Sequence, residues 1–226
     1  MTISHDKRFP NESDEYRSAR NELLEAEREL RRNVESVAEL RRRLPPGGKL
    51  TQDYVFESLQ GEVLLSSLFG AHDSLILYNF MFAPGKDPCP MCTSLLDSLD
   101  GAVRHLEQQV SFAVVAKAPL SEVSAFAVNR GWRHLRLLSS GGNDYNRDYH
   151  GETSQGQWPM LNVFRRRGNE IRHTWGSELM FTKADPGQNQ RHVDLLWPLW
   201  NLLDLTPGGR GDNWYPRREY QDTDSP

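Results

Sequence analysis

The chain has 226 residues, 37% of them hydrophobic and 26% charged, with a formal net charge of −4. That length suits one domain with extensions. The mild acidity argues against a nucleic-acid or membrane partner, and no apolar run approaches the length of about 18 residues that a membrane span needs. The opening MTISHDKRFPNESDEYRSAR lacks the apolar stretch of a secretory signal, so a cytoplasmic address is expected. In a reducing compartment the two cysteines are expected to do redox or metal work rather than to staple the fold.

Residues 1–11 read as disordered. Residues 12–48 read as a helical extension, with the helix from about Glu12 to Leu44. That stretch lacks Gly and Pro and is rich in Glu, Arg, Leu and Ala. Leu23, Leu30, Val37 and Leu44 recur every seventh position, a stripe that suits packing on the same molecule or a homodimer through this helix. Arg41, Arg42 and Arg43 fit a cationic last turn, and Pro45-Pro46-Gly47-Gly48 ends the helix.

The elements then alternate. Tyr54–Ser58 and Glu62–Leu65 predict a hairpin, Ser74–Phe82 a buried strand, and Thr93–Leu106 an amphipathic helix. Val110–Ala116 predicts a second buried strand, and Pro119–Arg130 a helix closed by Gly131. Leu135–Leu138 reads as a short strand, and residues 139–158 as a long polar segment whose Asp144-Tyr145-Asn146 suits a substrate entrance. Met160–Arg165 and Glu170–Trp175 predict an antiparallel pair. Residues 189–204 predict a last helix interrupted at Pro198. A strand–helix–strand unit followed by a hairpin and a helix predicts a three-layer α/β/α sandwich over residues 49–206, with a mixed central sheet. Residues 207–226 read as a tail that Trp214, Tyr215 and Tyr220 pin to the body.

Cys89-Pro90-Met91-Cys92 lies between the first buried strand and its helix. Thiol–disulfide exchange needs one thiolate to attack and a second thiol to resolve the mixed disulfide. At a helix start, unpaired backbone N–H groups and the dipole favour charge on the first sulfur. Pro90 suits the first helical position, where its missing N–H is no loss. Cys89 is therefore the expected nucleophile and Cys92 the resolving thiol. A thiol of ordinary pKa, about 8.5, is a few per cent ionised at neutral pH, and one lowered to about 7 is roughly half ionised.

The metal alternative fails on spacing. Cys89-x2-Cys92-x12-His105 lacks a fourth ligand at the right distance, since positions 109–111 are Gln, Val and Ser. His134, His150 and His173 lie in remote segments. No metal and no cofactor is expected. Asn79, a polar residue inside the apolar strand, either tunes the thiols or is satisfied by neighbouring backbone. Lys117 either lowers a thiol pKa or extends to solvent. Trp158 and Met160 suit either an apolar lip or the core.

Phe80-Met81-Phe82-Ala83-Pro84, the dithiol, Asp100-Gly101, Asp204-Leu205-Thr206-Pro207 and Gly209-Arg210 resemble a bacterial thioredoxin-like family of unknown function, whose members are described as dithiol–disulfide oxidoreductases. The resemblance implies a thioredoxin fold with Cys89 and Cys92 as its redox pair. In such a fold, Pro159 stands where a cis proline faces the dithiol. Pro90, Met91, Trp158 and Pro159 would then frame the substrate, either a disulfide-containing protein or a small thiol or disulfide. The strand–helix unit Phe112–Gly131 also resembles the peroxiredoxin branch, which implies a thiol peroxidase as the alternative. That branch carries Thr or Ser three residues before its attacking cysteine, where this chain has Lys86. A non-enzymatic scaffold using the N-terminal helix is a third reading.

Overall fold

The computed structural model describes residues 5–186, 194–211 and 214–220. Of the segment expected to be disordered, residues 1–4 lie outside this set, as do 187–193 at the start of the expected last helix and 221–226 of the tail. The chain divides into two compact units, Met1–Pro45 and Pro46–Pro226.

The first unit is built on helix α1 (Asp14–Arg42). Ser13 caps it, its hydroxyl accepting the Tyr16 N–H at 3.1 Å. Asp14 and Glu15 occupy the first turn and Arg41 and Arg42 the last, each sign matching the dipole. Glu25–Arg28 and Glu29–Arg32 pair along the helix at 2.6 Å. Leu23, Leu30, Val37 and Leu44 are all exposed.

The second unit holds a seven-stranded mixed sheet in the order β2-β1-β5-β4-β3-β8-β9. β1 (Val55–Ser58) and β2 (Gly61–Leu64) form the expected hairpin. β3 (Ser74–Phe80) runs parallel to β4 (Ser111–Ala116), and β4 parallel to β5 (Leu137–Ser139). β8 (Leu161–Arg167) pairs antiparallel with β3 and with β9 (Glu170–Gly176). Helix α2 (Pro90–Leu106) connects β3 to β4, and α3 (Leu120–Arg130) connects β4 to β5. This is the strand–helix–strand, then hairpin-and-helix arrangement expected from the sequence. Gly131 ends α3 at φ 77°, a left-handed conformation suited to glycine.

Alternation along β3 divides the core in two. Tyr78 and Phe80 join Val114, Ala116, Leu137 and Leu161 on the face that carries α2, α3, Trp197 and Trp200. Leu75 and Leu77 join Val115, Leu138 and Phe164 on the other face. That second face is covered by Tyr54, Phe56, Tyr145 and a 3-10 turn, Leu65–Phe69. Cys92, Leu95, Leu96 and Val103 are the buried stripe of α2. Each fully buried leucine there is worth about 1.5–3 kcal/mol relative to exposure.

The polar segment 139–158 is more structured than its composition suggests. It holds the short helix α4 (Tyr145–Asp148) and a separate ribbon of β6 (Glu152–Thr153) and β7 (Gly156–Gln157). Tyr145 and Asn146 are buried in α4. Where one helix interrupted at Pro198 was expected, the described residues form a 3-10 turn, Asp194–Leu196, followed by α5 (Pro198–Leu203). Pro198 begins α5, because a residue without an N–H costs least at a first helical position. Beyond α5, Arg210 pairs with Asp204 and lies over the Trp200 ring, whose edges also meet Trp214 and Tyr215.

Candidate functional site

The site begins where β3 ends. The chain leaves the sheet at Met81 and returns through a loop closed by Cys89 N–H donating to the Met81 carbonyl at 3.0 Å. Ala118 N–H donates to the Phe82 carbonyl at 2.8 Å, tying the loop to the segment after β4. At the far end, Arg218 reaches Asp87 at 2.9 Å. These bonds bring Cys89 to the mouth of α2 in extended geometry, as its N-cap, with Pro90 in the first turn. Thr93 fixes the turn from within, its hydroxyl and its N–H both donating to the Cys89 carbonyl, at 2.9 and 3.0 Å.

Cys89 is half-buried, Cys92 is buried, and both are free thiols. Cys92 N–H donates to the Cys89 sulfur at 3.4 Å, the capping bond usually made to an oxygen. The Cys92 thiol also donates to Cys89. With the amides of Cys92 and Met91, it overcomes the opposing effect of burial and brings the Cys89 thiol down to about 6. Cys92 goes the other way. Burial first, then the hydrogen bond to Cys89 and the negative charge that Cys89 carries, push its thiol well above the ordinary value. The two sulfurs therefore differ in kind, one ionised at neutral pH and partly accessible, the other protonated and enclosed.

Other expected site residues are placed differently. The Trp158–Pro159 bond is trans, not the cis bond expected from the fold. Trans is the lower-energy isomer by about 0.5–1 kcal/mol, and residues near a proline in sequence do not reveal a tertiary preference. Pro159 is buried just before β8, and Met160, also buried, accepts the Asn79 N–H at 2.7 Å. Trp158 donates its indole N–H to the Thr153 hydroxyl at 3.1 Å and packs on the Phe181 ring.

Asn79 and Lys117 are not among the groups that shift the two thiols. Asn79 has the opposite parity to Tyr78 and Phe80, so its side chain lies across the sheet from α2, against Gly151. Lys117 donates to the Asn143 carbonyl at 2.9 Å and lies 3.7 Å from Glu152. Of the two readings held open for each residue, the structural one fits this placement, and the groups that lower the two thiols are the Cys92 thiol and the Met91 and Cys92 amides for Cys89, and Tyr78 and the Met81 amide for Cys92. The fully buried Tyr78 is among the groups that lower the Cys92 thiol against the larger upward push of burial. Sequence reasoning missed Tyr78, although its parity with Phe80 marks it as facing the helix that carries the thiols.

His105 is exposed in the last turn of α2. Among the described residues, no group of three or more His, Cys, Asp or Glu side chains is arranged to hold a metal ion. No described helix is long and apolar enough to cross a membrane. The Asp100 carboxylate accepts the N–H groups of Arg133, His134 and Leu135 at 3.0, 2.9 and 3.2 Å. This pins the turn after α3 to α2 and gives Asp100 a structural role.

Residues 6–225 match a family described as bacterial proteins of unknown function, DUF899. The chain belongs to that family. No curated protein matches it. Among solved structures, it is similar to a peroxiredoxin-like protein from Aquifex aeolicus, with 12% identity, 70% of this chain and 88% of that chain covered, and a TM-score of 0.44. It is also similar to a hypothetical protein from Sinorhizobium meliloti 1021, with 18% identity, 76% and 91% covered, and a TM-score of 0.43. A third similar structure is the pneumococcal exposed lipoprotein thioredoxin of Streptococcus pneumoniae, with 12% identity, 54% and 87% covered, and a TM-score of 0.41.

Proposed function

We propose that the protein is a thiol–disulfide oxidoreductase in which Cys89 attacks and Cys92 resolves. The observation that carries this reading is the asymmetry of the pair, an ionised, half-buried sulfur at a helix N-cap beside a protonated, enclosed one. The Cys89 thiolate attacks one sulfur of a substrate disulfide. That S–S bond breaks, and the departing thiolate takes up a proton. Cys92 then attacks the Cys89 sulfur of the mixed disulfide, the second substrate thiol leaves with the Cys92 proton, and the protein retains a Cys89–Cys92 disulfide. The substrate gains two electrons and the dithiol loses two, and the same steps run backward when the protein acts as oxidant.

A depressed thiolate pKa supports the attacking role, because the thiolate fraction near neutrality sets how often an encounter is productive. Burial of Cys92 supports the resolving role, since an enclosed sulfur meets only its neighbour.

The test removes the resolving step. Cys92→Ser, incubated with glutathione disulfide, is expected to accumulate a mixed disulfide on Cys89 that mass spectrometry localises and dithiothreitol releases. The wild type is expected to pass through the same adduct to an internal disulfide. Adduct formation in Cys92→Ser no faster than on free cysteine would overturn the proposal.

A further inference from the structure

Helix α1 runs for 29 residues, roughly 43 Å, and none of them is buried. Yet it is not polar all round. Tyr16, Leu23, Leu30 and Val37 recur every seventh position, the stripe continues past the cap to Leu44, and Leu40 stands beside it, each between 42% and 60% exposed. Residues 5–12 of the same unit fold back along a different face. There Arg17 donates to the Lys7 carbonyl at 3.0 Å, Arg8 reaches Asp14 at 3.0 Å, and Leu24 is half-buried.

An apolar repeat of seven flanked by charges is the seam of a helix pair, and the flanking charges select the partner and its direction. Glu22, Glu27 and Glu29 flank the N-terminal part of the stripe, and Arg41 and Arg43 its C-terminal end. The one basic residue on the acidic flank, Arg20, lies 3.6 Å from Glu27 of its own helix. The same division runs through the whole helix. Asp14–Glu29 contains six acidic and three basic residues, and Leu30–Arg43 contains two acidic and five basic. The pairs Glu25–Arg28 and Glu29–Arg32 are exposed, contribute little, and leave those totals as they are.

Two such helices laid parallel set like halves side by side, with Glu22 of one copy against the partner's Glu27. Laid antiparallel, each acidic half lies along a basic half while the two stripes stay face to face. We propose that α1 is a dimerisation element that binds α1 of a second copy of this chain, antiparallel, through the stripe from Tyr16 to Leu44. A second copy is the fitting partner because α1 carries both halves of the charge match along one length, as a two-fold interface requires.

The experiment is sedimentation of the reduced full-length protein, read as mass against concentration. The series reaches about 100 μM, where a dimer with a Kd of about 10 μM is mostly formed. Wild type is expected to approach twice the 26.0 kDa of one chain. Leu30→Gln with Val37→Gln is expected to weaken the dimer at least about 10-fold, because it removes the middle of the seam. Glu22→Arg, Glu27→Arg and Glu29→Arg together are expected to weaken it to a similar degree, and adding Arg41→Glu and Arg43→Glu to restore it. In a parallel pair the three glutamate changes would exchange one like-charge contact for another and leave the affinity where it was. All seven positions are exposed, so no variant loses a core contact.

The mass of one chain at every concentration overturns the proposal, since the stripe would then be covered within a single molecule. A dimer that survives Leu30→Gln with Val37→Gln overturns it by placing the interface elsewhere. A triple glutamate variant that dimerises as tightly as wild type, or one that the two arginine changes do not restore, overturns the antiparallel pairing.

Discussion

The amide of Cys92 points at the sulfur of Cys89 from 3.4 Å, one helical turn bent back on its own cap. Together with the Cys92 thiol it brings Cys89 down to about 6, so the Cys89 thiolate fraction rises through that pH and is nearly complete at neutrality. A less basic thiolate is a weaker nucleophile, by about threefold per unit. At pH 7 the gain in ionised fraction and the loss in nucleophilicity therefore nearly cancel, and the iodoacetamide rate is expected to be only a few-fold above that of free cysteine. At pH 5 free cysteine is almost wholly protonated, and the expected advantage grows to about 10-fold or more. A pH series of alkylation rates at Cys89 of the reduced wild type, with the modified cysteine localised by mass spectrometry, checks this, and it fails if the rate still climbs steeply between pH 7 and 9.

Gly151 has no room for a methyl group. A Cβ there would overlap the side-chain amide of Asn79, and Asn79 is 1% exposed with neither amide atom hydrogen-bonded among the described residues. Gly151→Ala is expected to cost about 1–3 kcal/mol, the range for overpacking a filled interior. Asn79→Ala forfeits no hydrogen bond and opens the space, so Gly151→Ala should be nearly harmless in its presence. Urea denaturation of the two single variants and the double variant measures the coupling, and additive costs would refute the contact.

Asp100 predicts an acid-sensitive joint. Burial alone would push its carboxyl up. The amide and ring of His134 and the amides of Leu135 and Arg133 more than reverse this and hold it below the ordinary value. A carboxyl lowered in the folded state contributes stability above its unfolded pKa, about 3.9, and loses it as pH falls through the folded one. Asp100→Ala is expected to cost about 2 kcal/mol at neutral pH, and the gap to wild type should close toward about pH 2. A gap that stays constant with pH would show that the carboxylate charge plays no part.

Arg218 and Asp87 form an ion pair close to the dithiol in sequence, and it is expected to do little. Both partners are solvent-exposed, with side-chain exposures of 39% and 79%, so water and salt screen the attraction. Arg218→Ala should leave both the thermal midpoint and the Cys89 alkylation profile unchanged within error. A displaced profile would reveal that the tail governs the site.

Most of the sheet was legible because its strands are apolar runs punctuated by turn residues. β3, β4, β8 and β9 fall within two residues of expectation at either end. α2 begins three residues earlier than its apolar stripe, because Cys89 and Pro90 supply a cap and a first turn that periodicity does not register. The segment around α4 was read as loop because Gly, Asn, Asp and Ser mask its two buried residues, Tyr145 and Asn146. The dithiol was evident from spacing. Its surroundings were not, because Asn79 drew attention as a polar residue in an apolar run while its neighbour Tyr78 looked like ordinary core. One position along a strand decides which side of the sheet a side chain occupies, and here it separates the residue that faces the helix of the thiols from the one on the opposite side.

On the dithiol reading proposed above, enclosure of Cys92 would give the oxidised protein a fixed regiochemistry. Once the two sulfurs are joined, an incoming thiol meets only the Cys89 end of the bond, and Cys92 is always the leaving atom. On that reading every turnover, in either direction, would pass through an adduct on the same sulfur, and the shape of the surface around Cys89 alone would select the exchanging thiols.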